Sequence, residues 1–156
     1  MLYVVRHGRT EVNAAGKLLG RGDPELDETG RTQALDLANR LGKVDLVISS
    51  PLKRTMETAS YISDTVETDP RWLELDYGKL EGYSIENIDS EVWKKWRSDI
   101  HWAPDEGESL AALGVRVTEA CKDVAKISQD REVVVVTHVS PIKAVLAWVL
   151  GLDAGV

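Results

Sequence analysis

Four consecutive valines at positions 133–136 limit the fold of this chain more than any other feature. Their β-branched side chains favour extended backbone, and a strand that is apolar on both faces is typical of the interior of a parallel sheet. Two shorter runs, residues 2–5 and 45–49, also predict strands, and amphipathic stretches separate all of them. This alternation predicts an α/β fold, a three-layer α/β/α sandwich with a mostly parallel central sheet.

Apolar residues recur at helical spacing between the predicted strands. Ser109 is a suitable N-cap for one helix, Gly42 ends another, and Pro141 fits the first turn of a helix after the valine strand. Trp72 and Trp148 are expected in the core. The predicted helices before the valine strand cover residues 29–41, 52–62 and 109–127.

Residues 83–107 do not follow this pattern, because Trp93, Trp96 and Trp102 lie there among many charged residues. We expect a partly helical, lid-like insertion over the sheet edge. Its tryptophans are expected to form a small core of their own beneath it.

Length and charge narrow the class of protein. The 156 residues are about one domain in length, and we assign residues 1–156 to a single domain. The net charge of -7 disfavours nucleic acid and membrane surfaces as partners, since both attract basic proteins. Cys121 is the only cysteine, which excludes an internal disulfide. No apolar run approaches the ~20 residues that cross a bilayer, and no signal peptide is recognisable, so we expect a cytoplasmic protein.

Basic side chains and histidines follow three of the predicted strands. Arg6 and His7 come directly after the first strand, Arg54 lies in the first turn of the helix after the second, and His138 follows the valine strand and Thr137. Because ligands of open α/β sheets bind beyond the carboxyl ends of the strands, we expect these side chains to meet. Arginine matches phosphate oxygens, and the helix after His138 would offer free N–H groups to the same anion. A neutral imidazole beside arginines is a usable nucleophile for phosphorus.

Each of these residues alone has a simpler explanation. His138 could be a hydrogen-bonded histidine at a strand end, and Arg54 a solvated helix charge. A metal hydrolase is a further alternative, because His101 and several carboxylates are also present. The spacing fits no compact zinc motif, however, and an arginine beside His7 would repel a cation.

Five ordered segments carry the candidate site: RHGRTEVN at 6–13, GDPEL with QA between 22 and 34, SSPLKRTMETA at 49–59, LELDYGKLEG at 73–82 and TH at 137–138. Together they resemble the motifs of the histidine phosphatase, or phosphoglycerate mutase-like, superfamily. The resemblance covers nearly the whole chain and implies the phosphoglycerate mutase-like version of the predicted fold.

The resemblance also implies a role for each site residue. His7 attacks phosphorus and becomes a phosphohistidine, while Glu74 protonates the leaving oxygen and then activates water. Asp76 and Glu81 are nearby competitors for the second role, and only the motif position favours Glu74. The residues implied at the phosphoryl oxygens are Arg6, Thr10, Asn13, Arg54, His138 and Val139.

The predicted function is a metal-independent phosphomonoesterase that acts on a small phosphorylated metabolite and needs no cofactor. A cofactor-dependent mutase and a non-catalytic phosphate-binding module are the alternatives, and the oligomeric state is left open, with a homodimer as one option. Activity is expected to be highest at mildly acidic to neutral pH, where Glu74 can be protonated while His7 is neutral.

The chain departs from the family pattern at two places. Val139, Ser140 and Pro141 follow His138, where family members often have glycines. A bulkier backbone there would narrow the pocket or shift the amide aimed at the phosphate. Family members usually continue through another strand and a tail, so we expect a C-terminal strand and tail to be missing after Val156.

Overall fold

The computed structural model describes residues 1–152. Short 3-10 turns connect several of its elements, at Pro70–Trp72, Gly78–Leu80 and Ile85–Asn87. The strands are β1 (Leu2–Arg6), β2 (Leu46–Ser49), β3 (Glu67–Thr68) and β4 (Val133–Thr137), and the helices are α1 (Glu11–Ala14), α2 (Glu28–Leu41), α3 (Lys53–Ser60), α4 (Ser90–Ser98), α5 (Leu110–Ile127) and α6 (Val139–Leu150).

The strands form one sheet in the order β1-β4-β2-β3, and every pair of neighbours within residues 1–152 is parallel. The valine strand is central: Val133 pairs with Leu2 on one side and with Leu46 on the other. All four valines are completely buried. A strand apolar on both faces therefore lies where the sequence predicted it.

Helices cover both faces of this sheet. On one face, Val133 and Val135 join a core that includes residues of α5 and α6. On the other, Val134 and Val136 pack with Ala59 of α3 and with Leu41 at the end of α2. The predicted three-layer α/β/α arrangement is confirmed.

The helix bounds differ from the predicted ones by a few residues. Helix α2 begins one residue earlier than predicted, because the Asp27 side chain accepts a hydrogen bond from the Gly30 N–H and acts as the N-cap. Helix α3 is shorter than predicted at both ends. Hydrophobic periodicity identified neither α1 nor β3, because α1 is one capped turn without a buried residue and β3 has two exposed residues.

The segment at 83–107 contains α4, so the expected partly helical character is confirmed. The expected separate core is wrong, because Trp96 is buried within the main core, with Trp93 and Trp102 packed against it. The Trp96 ring also meets the Tyr77 ring edge to face, with 5.7 Å between centroids. These contacts join the insertion to the LELDYGKLEG segment, while its lid-like role stays a prediction.

The remaining expectations concern burial, the termini and membranes. Trp72 is fully buried, as predicted, whereas Trp148 is half-buried at the margin of the core. Within residues 1–152, no helix is both long and apolar enough to span a membrane. The single-domain assignment stays a prediction, and the expected C-terminal strand and tail lie outside the described residues.

Candidate active site

The carboxyl ends of β1, β2 and β4 bring together three of the predicted site residues. The His7 and His138 rings meet edge to face, with 5.1 Å between centroids. The Arg54 Nε lies 3.3 Å from the His7 Nε2. All three side chains are buried, His7 with 8% of its surface exposed and the other two with none. The sequence-based expectation that these residues meet is confirmed.

Two hydrogen bonds define the tautomer of His7. Its Nδ1 lies 2.6 Å from the carbonyl oxygen of Gly8, which can only accept, so Nδ1 carries the proton. Its Nε2 faces Arg54, which can only donate, so Nε2 carries the lone pair. His7 thus presents a neutral ring with its lone pair on Nε2.

Burial keeps both histidines neutral. Loss of solvent lowers the pKa of His7 from its ordinary 6.5 to about 3, and the charges of Arg54 and Arg6 add to this effect. The pKa of His138 is lowered as well, first by burial and then by the charge of Arg54. The sequence argument named the arginines as the cause, but desolvation is the larger one.

A close approach of two glycines supports the His7 loop. A Cβ on Gly8 would lie 2.4 Å from the carbonyl oxygen of Gly30, and one on Gly30 would lie 2.1 Å from that of Arg9. The Gln33 side chain also accepts a hydrogen bond from the Arg9 N–H. The start of α2 therefore packs directly beneath the loop that carries His7, and Gln33 of the QA motif is one of its contacts.

Arg54 is held by backbone as well as by His7. Its guanidinium donates to the carbonyl oxygens of Gly22 and Gly20, at 2.6 and 2.8 Å. The same loop is bound from its other side by Glu81, whose carboxylate accepts from the N–H groups of Gly20, Arg21 and Gly22. Glu81 is thus occupied in fixing the loop that orients Arg54.

Glu74 is buried at the amino end of α6, with 4% of its surface exposed. Its carboxylate accepts hydrogen bonds from the N–H groups of Val139 and Ser140, each at 3.1 Å, and from Leu75 at 2.8 Å. The carboxylate therefore caps the helix whose N-cap residue, His138, makes no side-chain cap.

This arrangement corrects one expectation. The N–H groups at the start of α6 were expected to be free for phosphate, but Glu74 already binds those of Val139 and Ser140. Pro141 has none, and Ile142 donates to the carbonyl oxygen of His138. Contact between the Val139 amide and a phosphoryl oxygen therefore requires exchange of the hydrogen bond to Glu74.

The other predicted phosphate ligands lie on the β1–α1 connection. Thr10 and Asn13 form a capping box around α1, each side chain bonded to the backbone of the other. Arg6 is exposed, and together with His7, Arg9, Asn13 and Gln33 it lines a cavity of about 420 Å³. Asn13 and Arg6 thus adjoin His7, whereas Thr10 is fully buried.

The remaining candidate groups lie outside this constellation. Asp76 accepts a hydrogen bond from the Gly78 N–H, which places it in a turn. His101 is exposed on the segment after α4. Within the described part of the chain, no group of three or more His, Cys, Asp or Glu side chains is arranged to hold a metal ion.

Comparison with known proteins identifies the family to which this chain belongs. The model of the histidine phosphatase superfamily (branch 1) matches residues 2–155. The chain belongs to this superfamily. The prediction of a histidine phosphatase-type enzyme is confirmed at the level of the family.

Individual members of the superfamily are similar over most of the chain. Phosphoserine phosphatase 1 of Hydrogenobacter thermophilus is 36% identical over an alignment of 162 positions, which covers 97% of this chain and 77% of that protein. A probable phosphoglycerate mutase, GpmB, of Proteus mirabilis is 36% identical over an alignment of 165 positions, which covers 98% of this chain and 76% of that protein.

Solved structures of the superfamily have the same fold as this chain. A mycobacterial glucosyl-3-phosphoglycerate phosphatase in complex with VO3 superposes with a TM-score of 0.88 at 32% identity, covering 99% of this chain and 82% of that one. The phosphoserine phosphatase of Entamoeba histolytica in complex with 3-phosphoglyceric acid also gives 0.88, at 30% identity, with 99% and 81% coverage.

Sequence reasoning missed one arginine beside this histidine phosphatase site. Arg116 of α5 binds the backbone that leads into Glu74 and forms an ion pair with Glu108. A signal was present, because Arg116 follows the buried Leu113 by three positions and precedes the buried Ala120 by four. A charge on the buried stripe of a helix indicates a buried partner.

Proposed function

We propose that this chain is a metal-independent phosphomonoesterase that hydrolyses a small phosphorylated metabolite through a phosphohistidine on His7. The observation that carries the proposal is the state of His7. Its Nδ1 proton is bound to the Gly8 carbonyl oxygen, its pKa is lowered to about 3, and its Nε2 lone pair lies beside Arg54.

The first step transfers the phosphoryl group to the protein. The Nε2 lone pair of His7 forms a bond to phosphorus while the bond from phosphorus to the ester oxygen breaks. Glu74 gives its proton to that oxygen, so the leaving group departs as an alcohol. Arg6, Arg54 and His138 stabilise the charge on the remaining phosphoryl oxygens.

The second step returns His7 to its starting state. Water attacks phosphorus, the bond from phosphorus to Nε2 breaks, and the Glu74 carboxylate takes a proton from the water. The products are inorganic phosphate and the regenerated acid. To serve as the acid in each turnover, Glu74 must carry a proton while its carboxyl group also accepts the hydrogen bonds from the start of α6.

The relatives support a small, acidic substrate class. They are named, among others, as a phosphoserine phosphatase and a glucosyl-3-phosphoglycerate phosphatase, and one structure holds 3-phosphoglyceric acid. Each of these names denotes a phosphate ester that also carries a carboxylate. The exposed Arg6 in the cavity beside His7 is compatible with such a second anionic group.

Phosphoryl transfer to a second hydroxyl is the alternative reaction, because several relatives are named as probable phosphoglycerate mutases. The first step would be identical, and a bound phosphoglycerate would replace water in the second. The two reactions differ only in the acceptor.

The test measures phosphate release from a panel of phosphomonoesters in excess EDTA, together with acid-labile phosphate bound to the protein after a rapid alkaline quench. We expect release in EDTA and a trapped phosphoramidate, both abolished in His7→Asn and retained in the exposed control His101→Asn. EDTA-sensitive release that survives in His7→Asn would overturn the proposal.

Two further outcomes separate the alternatives. Trapped phosphohistidine that is discharged by a phosphoglycerate but not by water would identify the mutase. Bound ligand without release or trapping would identify a binding module.

A further inference from the structure

Arg116 uses every N–H donor of its guanidinium. Its Nε and one Nη2 hydrogen bind the two carboxylate oxygens of Glu108, at 2.7 and 2.8 Å. Its Nη1 group donates to the carbonyl oxygens of Arg71 and Leu73, at 2.7 and 2.8 Å, and the other Nη2 hydrogen reaches that of Glu74 at 3.1 Å. The rigid, planar donor set is therefore matched to one conformation of the backbone from residue 71 to 74.

Glu108 extends this contact to the other side of Glu74. Its backbone N–H donates to the Asp76 carbonyl oxygen at 2.9 Å, and its carboxylate lies 3.4 Å from the Asp76 N–H. The pair is shielded from water, with 18% and 15% of the two side chains exposed. Backbone on both sides of Glu74 is thus attached to one partly buried ion pair.

The carboxyl group of Glu74 has a separate anchor, the N–H groups at the start of α6. Its main chain is held from α5 and its carboxyl group from α6. The relative placement of the two helices, and the length of one side chain between them, therefore determine where the acid lies.

We propose that Arg116, paired with Glu108, is a positioning residue for the proton donor. It holds the Glu74 backbone so that the carboxyl group lies where the leaving oxygen departs. This inference rests on the proposed function, in which Glu74 protonates that oxygen, and it concerns a residue that does not touch the substrate.

The role has a kinetic signature that a general structural role lacks. A poor leaving group such as an alkoxide needs its proton during bond cleavage, whereas p-nitrophenolate departs without one. Displacement of the acid therefore slows alkyl phosphates more than p-nitrophenyl phosphate. A displacement of about 1 Å can cost on the order of 10²-fold in rate.

The experiment compares kcat and KM for glycerol phosphate and p-nitrophenyl phosphate in the wild type, Glu74→Gln and Arg116→Lys. Lysine keeps the charge of arginine but cannot span the carbonyl oxygens and the carboxylate together. We expect Arg116→Lys to lower kcat/KM, which reports the steps up to departure of the leaving group, roughly 10²-fold for glycerol phosphate and less than about 5-fold for p-nitrophenyl phosphate.

Two more variants keep the test decisive. Arg71→Lys is the matched control, because Arg71 lies on the same segment but its side chain pairs with Asp69 and with Asp123 of α5. This variant should leave the ratio of the two rates unchanged. Glu108→Gln retains side-chain size and should reproduce the selective loss more weakly, even if Arg116→Lys folds poorly.

The outcomes separate a failure of the positioning role of Arg116 from a failure of the proposed function. If Glu74→Gln shows the selective loss but Arg116→Lys and Glu108→Gln slow both substrates equally or neither, the positioning role is wrong and the proposed function stands. If Glu74→Gln lowers kcat/KM for both substrates equally, the proposed role of Glu74 as the acid fails, and this inference fails with it.

Discussion

At the scale of single residues, the site depends on how closely the backbone approaches the loop that carries His7. His7 owes its tautomer to the Gly8 carbonyl oxygen. Gly8 in turn rests on Gly30, at a distance that leaves no room for a Cβ on either residue. The Thr58 hydroxyl accepts a hydrogen bond from the Gly8 N–H at 3.0 Å and so also holds this part of the backbone in place. The position of His7 is therefore set by backbone contacts that only glycine permits.

Gly30→Ala tests this close approach. Within a helix, alanine is favoured over glycine by about 1 kcal/mol, so propensity alone predicts a more stable protein. The new Cβ would lie 2.1 Å from the Arg9 carbonyl oxygen, however, and the backbone would have to move. We expect a loss of about 1–3 kcal/mol in the free energy of unfolding, as for other overpacked sites, measured by urea denaturation.

The control is Asn39→Ala, an exposed, uncharged position of the same helix where helix propensity is the main change. A Gly30→Ala protein as stable as the wild type, or more so, would show that the loop that carries His7 tolerates displacement.

At the scale of elements, loops and helix ends hold the charged groups. The loop at residues 20–22 lies between Glu81, which binds its N–H groups, and Arg54, which binds its carbonyl oxygens. The amino end of α6 is bound by Glu74 in the same manner. Glu81 and Glu74 thus each accept hydrogen bonds from backbone N–H groups. The loop that Glu81 holds in turn orients the guanidinium of Arg54.

Glu81→Gln tests the link between this loop and Arg54. Glutamine would turn an NH2 group toward N–H donors that now bind a carboxylate oxygen, which would release the loop and the arginine bound to it. Hydrogen bonds to charged groups contribute about 1.5–3 kcal/mol, so we expect KM for phosphomonoesters to rise at least about tenfold.

The ratio of rates for glycerol phosphate and p-nitrophenyl phosphate should stay at the wild-type value, since Glu81 is not the proton donor. Steady-state kinetics would measure both quantities, with the exposed Glu86→Gln as control. A selective loss on glycerol phosphate would instead make Glu81 the acid.

At the scale of the whole molecule, two apolar cores enclose the sheet and bury polar groups at one end of it. His7, Arg54, Glu74 and His138 are all less than 10% exposed. Desolvated histidines make the stability of the entire fold depend on pH, because unfolding returns them to water.

Acidification should therefore destabilise the fold before the carboxylates titrate. The pKa of His7 is about 3 in the folded protein and about 6.5 when unfolded, so below pH 6.5 the unfolded state binds more protons. The contribution of each such histidine to the free energy of unfolding is complete above pH 6.5. It falls by about 1.4 kcal/mol per pH unit as the pH decreases toward 3. His138, whose pKa is also lowered, acts in the same direction.

Urea denaturation between pH 7 and 4.5 would measure this slope. His7→Asn should reduce it by about 1.4 kcal/mol per pH unit, since the asparagine amide can still donate to the Gly8 carbonyl oxygen but does not titrate. An unchanged slope in His7→Asn would show that the pKa of His7 is the same in the folded and the unfolded protein.

Local sequence patterns were sufficient for the architecture and for part of the site. The four valines and the amphipathic stretches around them predicted the parallel sheet, because side-chain periodicity depends on neighbours a few positions apart. The placement of His7, Arg54 and His138 followed from that sheet, since parallel strands end at a common edge. The choice of Glu74 required the family motif, because its spacing does not distinguish it from Asp76 and Glu81.

The sequence by itself thus determined the layers of the fold, the strand ends and the residue types available there. Only the tertiary structure decided that Glu74 binds the start of α6, that Arg116 holds its backbone, and that Trp96 joins the main core. The physical reason is separation along the chain: Glu74 lies 65 to 66 residues from its partners on α6 and 42 from Arg116. Such contacts depend on how completed elements pack together, and local periodicity does not encode that.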